Sequence, residues 1–215
     1  MEPLAEALRV RGCTVAVPVV TGLAGGSRRV MRRHTFEDWI RVSEEAFKEL
    51  CRQSDTVVIA GFSTGGLIAV LLAEKFDPAA VVLMSVPVRH WDLKRVIINV
   101  TEDLKRSRLD HVRHYVKSAV KFPIRALLEF KRLQSHTLAR FRQVRCPALI
   151  VQGLDDDTVH WKSAARIQAG IQGGHSGAAA ELAYFEPAGH VILHGPAGQP
   201  VVRLILKFLE DSCIL

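Results

Sequence analysis

Two kinds of hydrophobic pattern alternate along the chain. Thr56–Ala60, Ala79–Met84, Ala148–Val151 and Leu182–Phe185 are short runs that are apolar nearly throughout. Such runs predict strands buried on both faces, as in a parallel sheet. Cys13–Val20, rich in β-branched residues, predicts one more strand. Elsewhere apolar residues recur every three or four positions. Trp39, Ile40, Val42, Ala46, Phe47 and Leu50 predict a helix that Thr35 caps, with Asp38 completing a capping box. Leu67–Leu72 predicts a buried helix, and Leu4, Leu8 and Val10 a short one ending near Gly12. Strands alternating with helices argue for an α/β sheet with helices on both faces.

Between about Val88 and Gln143 the strand pattern stops. Leu109, Val112, Val116 and Val120 form one helical stripe there, and Ile124, Leu127 and Leu128 another. The expected organisation is a core of residues 1–87 and 144–215, interrupted by a helical cap of residues 88–143 above the strand ends. Charge follows the same division. The chain carries a net +7, but Arg89–Arg145 alone holds 15 Lys/Arg against 5 Asp/Glu. That excess reads first as solvated helix faces. It also suits anionic substrates or weak association with anionic lipid surfaces. Nucleic acid is not an expected partner, because aromatics are sparse in the segment and no nucleic-acid motif accompanies them.

The remaining composition excludes broad classes. With 215 residues, 48% hydrophobic and 24% charged, the chain is neither disordered nor fibrous. Cys13, Cys51, Cys146 and Cys213 lie far apart and read as reduced, mostly buried thiols, which together with the absence of a signal-peptide pattern suggests a cytoplasmic protein. Thr56–Ala73 lacks charge for 18 residues, near the length of a membrane span. Gly61, Gly65 and Gly66 interrupt it, so strand, tight turn and buried helix explain it better.

That turn carries the strongest chemical signal. Gly61-Phe62-Ser63-Thr64-Gly65 is a G-x-S-x-G pentapeptide between a strand and a helix. A nucleophilic serine needs a sharp turn that lifts its hydroxyl off the carboxyl edge of the sheet. Glycines on either side are expected to let strand and helix close around it, while the helix N-terminus favours developing negative charge. The serine needs a base, and the base an orienting acid. Among nine histidines His190, in the loop after the last strand, is the first candidate and His194 the second. His34, His90, His111, His114 and His136 lie away from strand ends. The His190–His194 spacing lacks the glutamate of zinc proteases, so no metal site is expected. For the acid, the strand at Ala148–Val151 runs into Asp155-Asp156-Asp157. Spacing does not choose among the three, and the others are expected to cap a helix starting near Trp161.

Gly61-Phe62-Ser63-Thr64-Gly65-Gly66, Gln152-Gly153-x-x-Asp156-x-x-Val159 and Gly189-His190-Val191-Ile192 resemble the three signatures of α/β-hydrolases. They are most similar to those of small bacterial carboxylesterases and monoacylglycerol lipases with a short helical cap. The similarity spans residues 3–211. It implies an α/β-hydrolase fold, a mostly parallel sheet flanked by helices. It also implies Ser63 as nucleophile, His190 as general base, Asp156 as orienter and the Thr64 N–H as an oxyanion donor. The implied activity is that of a serine carboxylesterase acting on short- to medium-chain acyl esters, with no cofactor or metal. A thioesterase would share the triad. One departure stands out. The family's first strand and His-Gly oxyanion loop do not precede Met1-Glu2-Pro3-Leu4, and Gly22-Leu23-Ala24-Gly25-Gly26 stands where Gly-His-Gly is common. The strand would lie between Cys13–Val20 and Thr56–Ala60. Both are therefore expected to present unpaired edges, at about 1–3 kcal/mol per buried unsatisfied group. A chain so altered would be an impaired hydrolase, serving instead as a binding module.

Overall fold

Four parallel strands, β1 (Val58–Phe62), β2 (Ala80–Met84), β3 (Ala148–Gly153) and β4 (Ala180–Phe185), pair in the order β1-β2-β3-β4. The computed structural model describes residues 1–21, 23, 28–88, 123–174 and 177–215. Helices α1 (Glu2–Val10), α2 (Arg28–Met31), α3 (Phe36–Cys51) and α4 (Thr64–Phe76) come from the first part of the chain. The later helices are α5 (Ile124–Leu138), α6 (Lys162–Gln172) and α7 (Gly198–Asp211). Every residue of β2 and β3 is buried, the outcome expected of uninterrupted apolar runs. Successive side chains point to opposite faces, so Val81 and Leu83 join one core while Ala80, Val82 and Met84 join another. The first core is closed by Trp39 and Phe47 of α3, Leu67–Ala73 of α4, Leu133 of α5 and Ile167 of α6. The second is closed by Leu4 of α1 and Val201, Ile205 and Leu209 of α7. Each such fully buried aliphatic side chain contributes about 1.5–3 kcal/mol.

Helix α3 begins where the capping box places it. The Thr35 N–H donates to Asp38 Oδ2 at 3.0 Å, and that bond leads the effects that hold the Asp38 carboxyl below its ordinary pKa. Cys13–Val20 is a correction. It forms no strand: Val17 and Val19 are exposed, and of the run only Val20 is buried. A β-branched run has strand propensity, but a strand exists only through a ladder partner. Among the described residues β1 pairs with β2 alone, leaving its other edge without a ladder.

The expected cap falls mostly on residues 89–122, outside the described residues. Of the remainder, α5 packs against α3 and α4. Its apolar stripe is not the buried one. Ile124, Leu127 and Leu128 are exposed, whereas Ala126, Glu129, Leu133, Gln134 and Thr137 face inward. The inward polar groups are satisfied. Glu129 accepts from the Phe36 N–H at 3.3 Å and from Arg132 at 2.8 Å, and the Gln134 amide donates to the Pro87 carbonyl. Among the described residues no helix is long and apolar enough to cross a membrane.

All four cysteines are free thiols, but only Cys146 is buried, which corrects the expectation that most of them are. Burial pushes the Cys146 thiol up to about 11, with the Asp77 carboxylate adding to the rise. Thiolate is the reactive form. Under native conditions a maleimide should therefore modify the exposed Cys51 and Cys213, and reach Cys146 only after denaturation. Mass mapping of the adducts checks this; native labelling of Cys146 at the rate of Cys51 would contradict it.

Candidate active site

The turn between β1 and α4 is as tight as the pentapeptide requires. Ser63 adopts φ 51° and ψ −123°, a conformation that L residues rarely hold. Its N–H donates to the Met84 carbonyl at 2.8 Å, tying the turn to the end of β2, and its own carbonyl accepts from Gly66 at 2.9 Å. The glycines act differently from expectation. A Cβ on Gly61 would stand 2.5 Å from the Gly65 carbonyl oxygen and 2.6 Å from the Gly66 Cα. One on Gly66 would collide with the Val86 side chain, whereas Gly65 has open space around it. The close approach of β1 and α4 thus rests on the missing side chain of Gly61, and that of α4 to Val86, just after β2, on Gly66; a side chain at Gly65 would meet neither.

The Ser63 hydroxyl meets one histidine. His190 Nε2 lies 3.1 Å from Ser63 Oγ, and Phe62, the last residue of β1, packs its ring 5.1 Å from the imidazole. On the other side of the ring, His190 Nδ1 lies 2.9 Å from Asp156 Oδ2. The remaining oxygen of Asp156 accepts the N–H groups of Thr158 at 2.9 Å and Val159 at 2.7 Å. Asp156 Oδ2 also accepts from the Gln152 side-chain amide at 2.9 Å. His194 is exposed, His136 packs against Phe36, and His160 stacks on Trp161. His90, His111 and His114 lie outside the described residues.

The three adjacent aspartates divide the turn after β3 among them. Asp156 is buried against the imidazole. Asp155 exchanges two hydrogen bonds with the histidine loop: its N–H donates to the Ala188 carbonyl at 3.0 Å, and its Oδ2 accepts from the Ala188 N–H at 3.1 Å. Asp157 accepts from the Thr158 hydroxyl at 3.1 Å. The expectation that the outer two cap the next helix is therefore corrected. At the start of α6 it is His160 Nδ1 that accepts the Lys162 N–H, at 3.1 Å. The tie between Asp155 and the histidine loop has no signature in spacing, since its partners are 33 residues apart. The contact of Gln152 was closer to legible: a polar side chain on an otherwise apolar buried strand, four residues before Asp156, needs a partner.

Electrostatics favour an ionised Asp156. Burial pushes its carboxyl up, but the hydrogen bond and charge of His190 together with the Val159 and Thr158 N–H groups outweigh that and hold it below the usual value. A carboxyl depressed on folding adds stability above its unfolded pKa, near 4, and loses it as pH falls through the lower folded value. The gap in Tm between the parent and Asp156→Asn should thus be full at neutral pH and narrow below about pH 4. A gap constant from pH 7 to 3 would contradict it. Chemically, a serine hydroxyl in line with an imidazole and a buried carboxylate can transfer its proton while attacking an electrophilic carbon.

The model of the prolyl oligopeptidase family matches residues 6–213. The chain belongs to that family, within the α/β-hydrolases. A thermostable monoacylglycerol lipase of Bacillus sp. (strain H-257) is 31% identical to this α/β-hydrolase over 182 residues, 80% of this chain and 70% of the relative. Solved structures share the fold. That of the metagenome-derived lipolytic enzymes LipS and LipT has a TM-score of 0.77 at 21% identity, over 98% of this chain and 87% of the other. The monoacylglycerol lipase of Paleococcus ferrophilus has a TM-score of 0.67 at 16% identity, over 97% and 88%.

Proposed function

We propose that this α/β-hydrolase is a serine carboxylesterase acting on short- to medium-chain acyl esters, monoacylglycerols among them. The observation that carries the reading is the unbroken hydrogen-bond chain from Ser63 Oγ through His190 to Asp156, with Ser63 at a strained strand-to-helix turn. Ser63 Oγ attacks the ester carbonyl carbon while its proton passes to His190 Nε2. The carbonyl oxygen becomes an oxyanion beside the Thr64 N–H, one of the free donors of the first turn of α4. Collapse breaks the bond to the alcohol, which leaves with the proton from His190. Water then gives a proton to His190 and attacks the acyl-enzyme, releasing the acid and restoring Ser63. Asp156 stays ionised throughout and steadies the imidazolium. The identity to a monoacylglycerol lipase and the likeness to lipolytic enzymes support an ester as substrate.

The test is a stopped-flow assay with p-nitrophenyl butyrate, followed by a series of acyl lengths. The expected result is a burst of p-nitrophenolate stoichiometric with enzyme, then steady turnover that falls for long chains. Folded protein that turns over no ester from acetate to decanoate would refute the reading.

A further inference from the structure

Gln152 occupies a position where an apolar side chain would cost less. It is the penultimate residue of β3, fully buried on a strand that is otherwise apolar. Its side-chain Nε2 donates to Asp156 Oδ2 at 2.9 Å and to the Gly153 carbonyl at 3.1 Å. Both amide hydrogens are thereby used. Its Oε1 is buried and has no hydrogen-bond partner among the described residues. The orientation of the amide follows from this arrangement. Turned over, Oε1 would face two acceptors, the Gly153 carbonyl and the Asp156 carboxylate. A buried acceptor without a partner destabilises the fold, while a leucine would place no polar atom there and a methionine only a weakly accepting sulfur. The donor end is what the site uses.

We propose that Gln152 is a positioning residue that holds the Asp156 carboxylate in the rotamer presenting Oδ2 to His190. The reasoning rests on the roles given to Ser63, His190 and Asp156 above. Two N–H groups of the turn, from Thr158 and Val159, hold Oδ1. The Gln152 amide adds a hold on the other oxygen from the strand side, the one that accepts from His190 Nδ1. Because it also donates to its own strand's last carbonyl, it ties the acid to β3 itself. A loosened carboxylate lets the imidazole tilt away from Ser63, and small misplacements of reacting groups carry large rate penalties.

The experiment compares the parent with Gln152→Met and Gln152→Leu. It reads kcat and KM for p-nitrophenyl butyrate, the rate at which a fluorophosphonate labels Ser63, and Tm. Both variants remove the donor and the unpartnered acceptor together. The expected result is kcat and labelling rate down about tenfold or more, KM within about twofold, and Tm unchanged or raised. A role in packing alone predicts the reverse: Tm falls and any loss of rate follows it. Rates within about threefold of the parent in both variants, or rate and Tm falling together, overturn the proposal. A parent that fluorophosphonate does not label at Ser63 overturns the proposed function, and the positioning role with it. Equal labelling of parent and variants overturns the positioning role alone.

Discussion

Ser63→Ala should abolish ester turnover while leaving the protein folded. Oγ is the atom that bonds to the acyl carbon in the proposed reaction, and no other nucleophile lies in the His190–Asp156 hydrogen-bond chain. When a serine of such a unit is removed, kcat falls by about 10⁶, or some 8 kcal/mol of barrier. What survives comes from binding and from charge stabilisation near the Thr64 N–H. The substitution deletes one oxygen from a half-buried side chain and leaves the turn's backbone bonds, Ser63 N–H to Met84 and Gly66 N–H to Ser63, in place. The variant should melt within about 2 °C of the parent, because a small side-chain change away from a packed core shifts stability little. A residual rate above about one-hundredth of the parent would mean that Ser63 is not the nucleophile.

Gly61→Ala should be the most damaging single methyl group at the turn. The new Cβ would meet the Gly65 carbonyl at 2.5 Å, the Gly66 Cα at 2.6 Å and the Ala69 Cβ at 2.8 Å. None of these atoms belongs to a side chain that can rotate away, so the clash must be relieved by moving α4 off β1. Helix α4 is buried along most of its length and lines the main core, which resists such a shift. Overpacking of this kind costs about 3 kcal/mol, which for a chain of this size lowers Tm by about 6–12 °C. Gly65→Ala is the control. It adds a methyl group where no atom lies within 4 Å, and alanine favours the helix. Its Tm should not fall. Equal melting of the two variants would contradict the packing account.

The elements that could be read from the sequence are those whose pattern is local. β2 is apolar and buried throughout, β3 is buried throughout and apolar but for Gln152, and Gly66–Ala73 of α4 are apolar and buried on every side. The Thr35 and Asp38 pair marks the start of α3 because a capping box spans only one helical turn. Where pattern misled, the partner was distant. Cys13–Val20 has the composition of a strand and no ladder. On α5 the buried line includes Glu129 and Gln134, whose hydrogen bonds reach the start of α3 and Pro87. An aliphatic stripe at helical spacing says nothing of such partners, and Ile124, Leu127 and Leu128 are exposed.

The sequence by itself determined an α/β sheet with a serine at a strand-to-helix turn, and it narrowed the base and the acid to a few residues. Those features depend on periodicity and on neighbours within a turn or two. Spacing left Asp155, Asp156 and Asp157 open, and the resemblance to α/β-hydrolases singled out Asp156. Only the tertiary structure shows that carboxylate against the imidazole, Asp155 tied to the histidine loop, and α4 meeting β1 at Gly61. The first two depend on where backbones from separate parts of the chain converge, and the third on the strained turn at Ser63. Ser63, Asp156 and His190 lie up to 127 positions apart, and only the parallel order of the strands brings their carboxyl ends together.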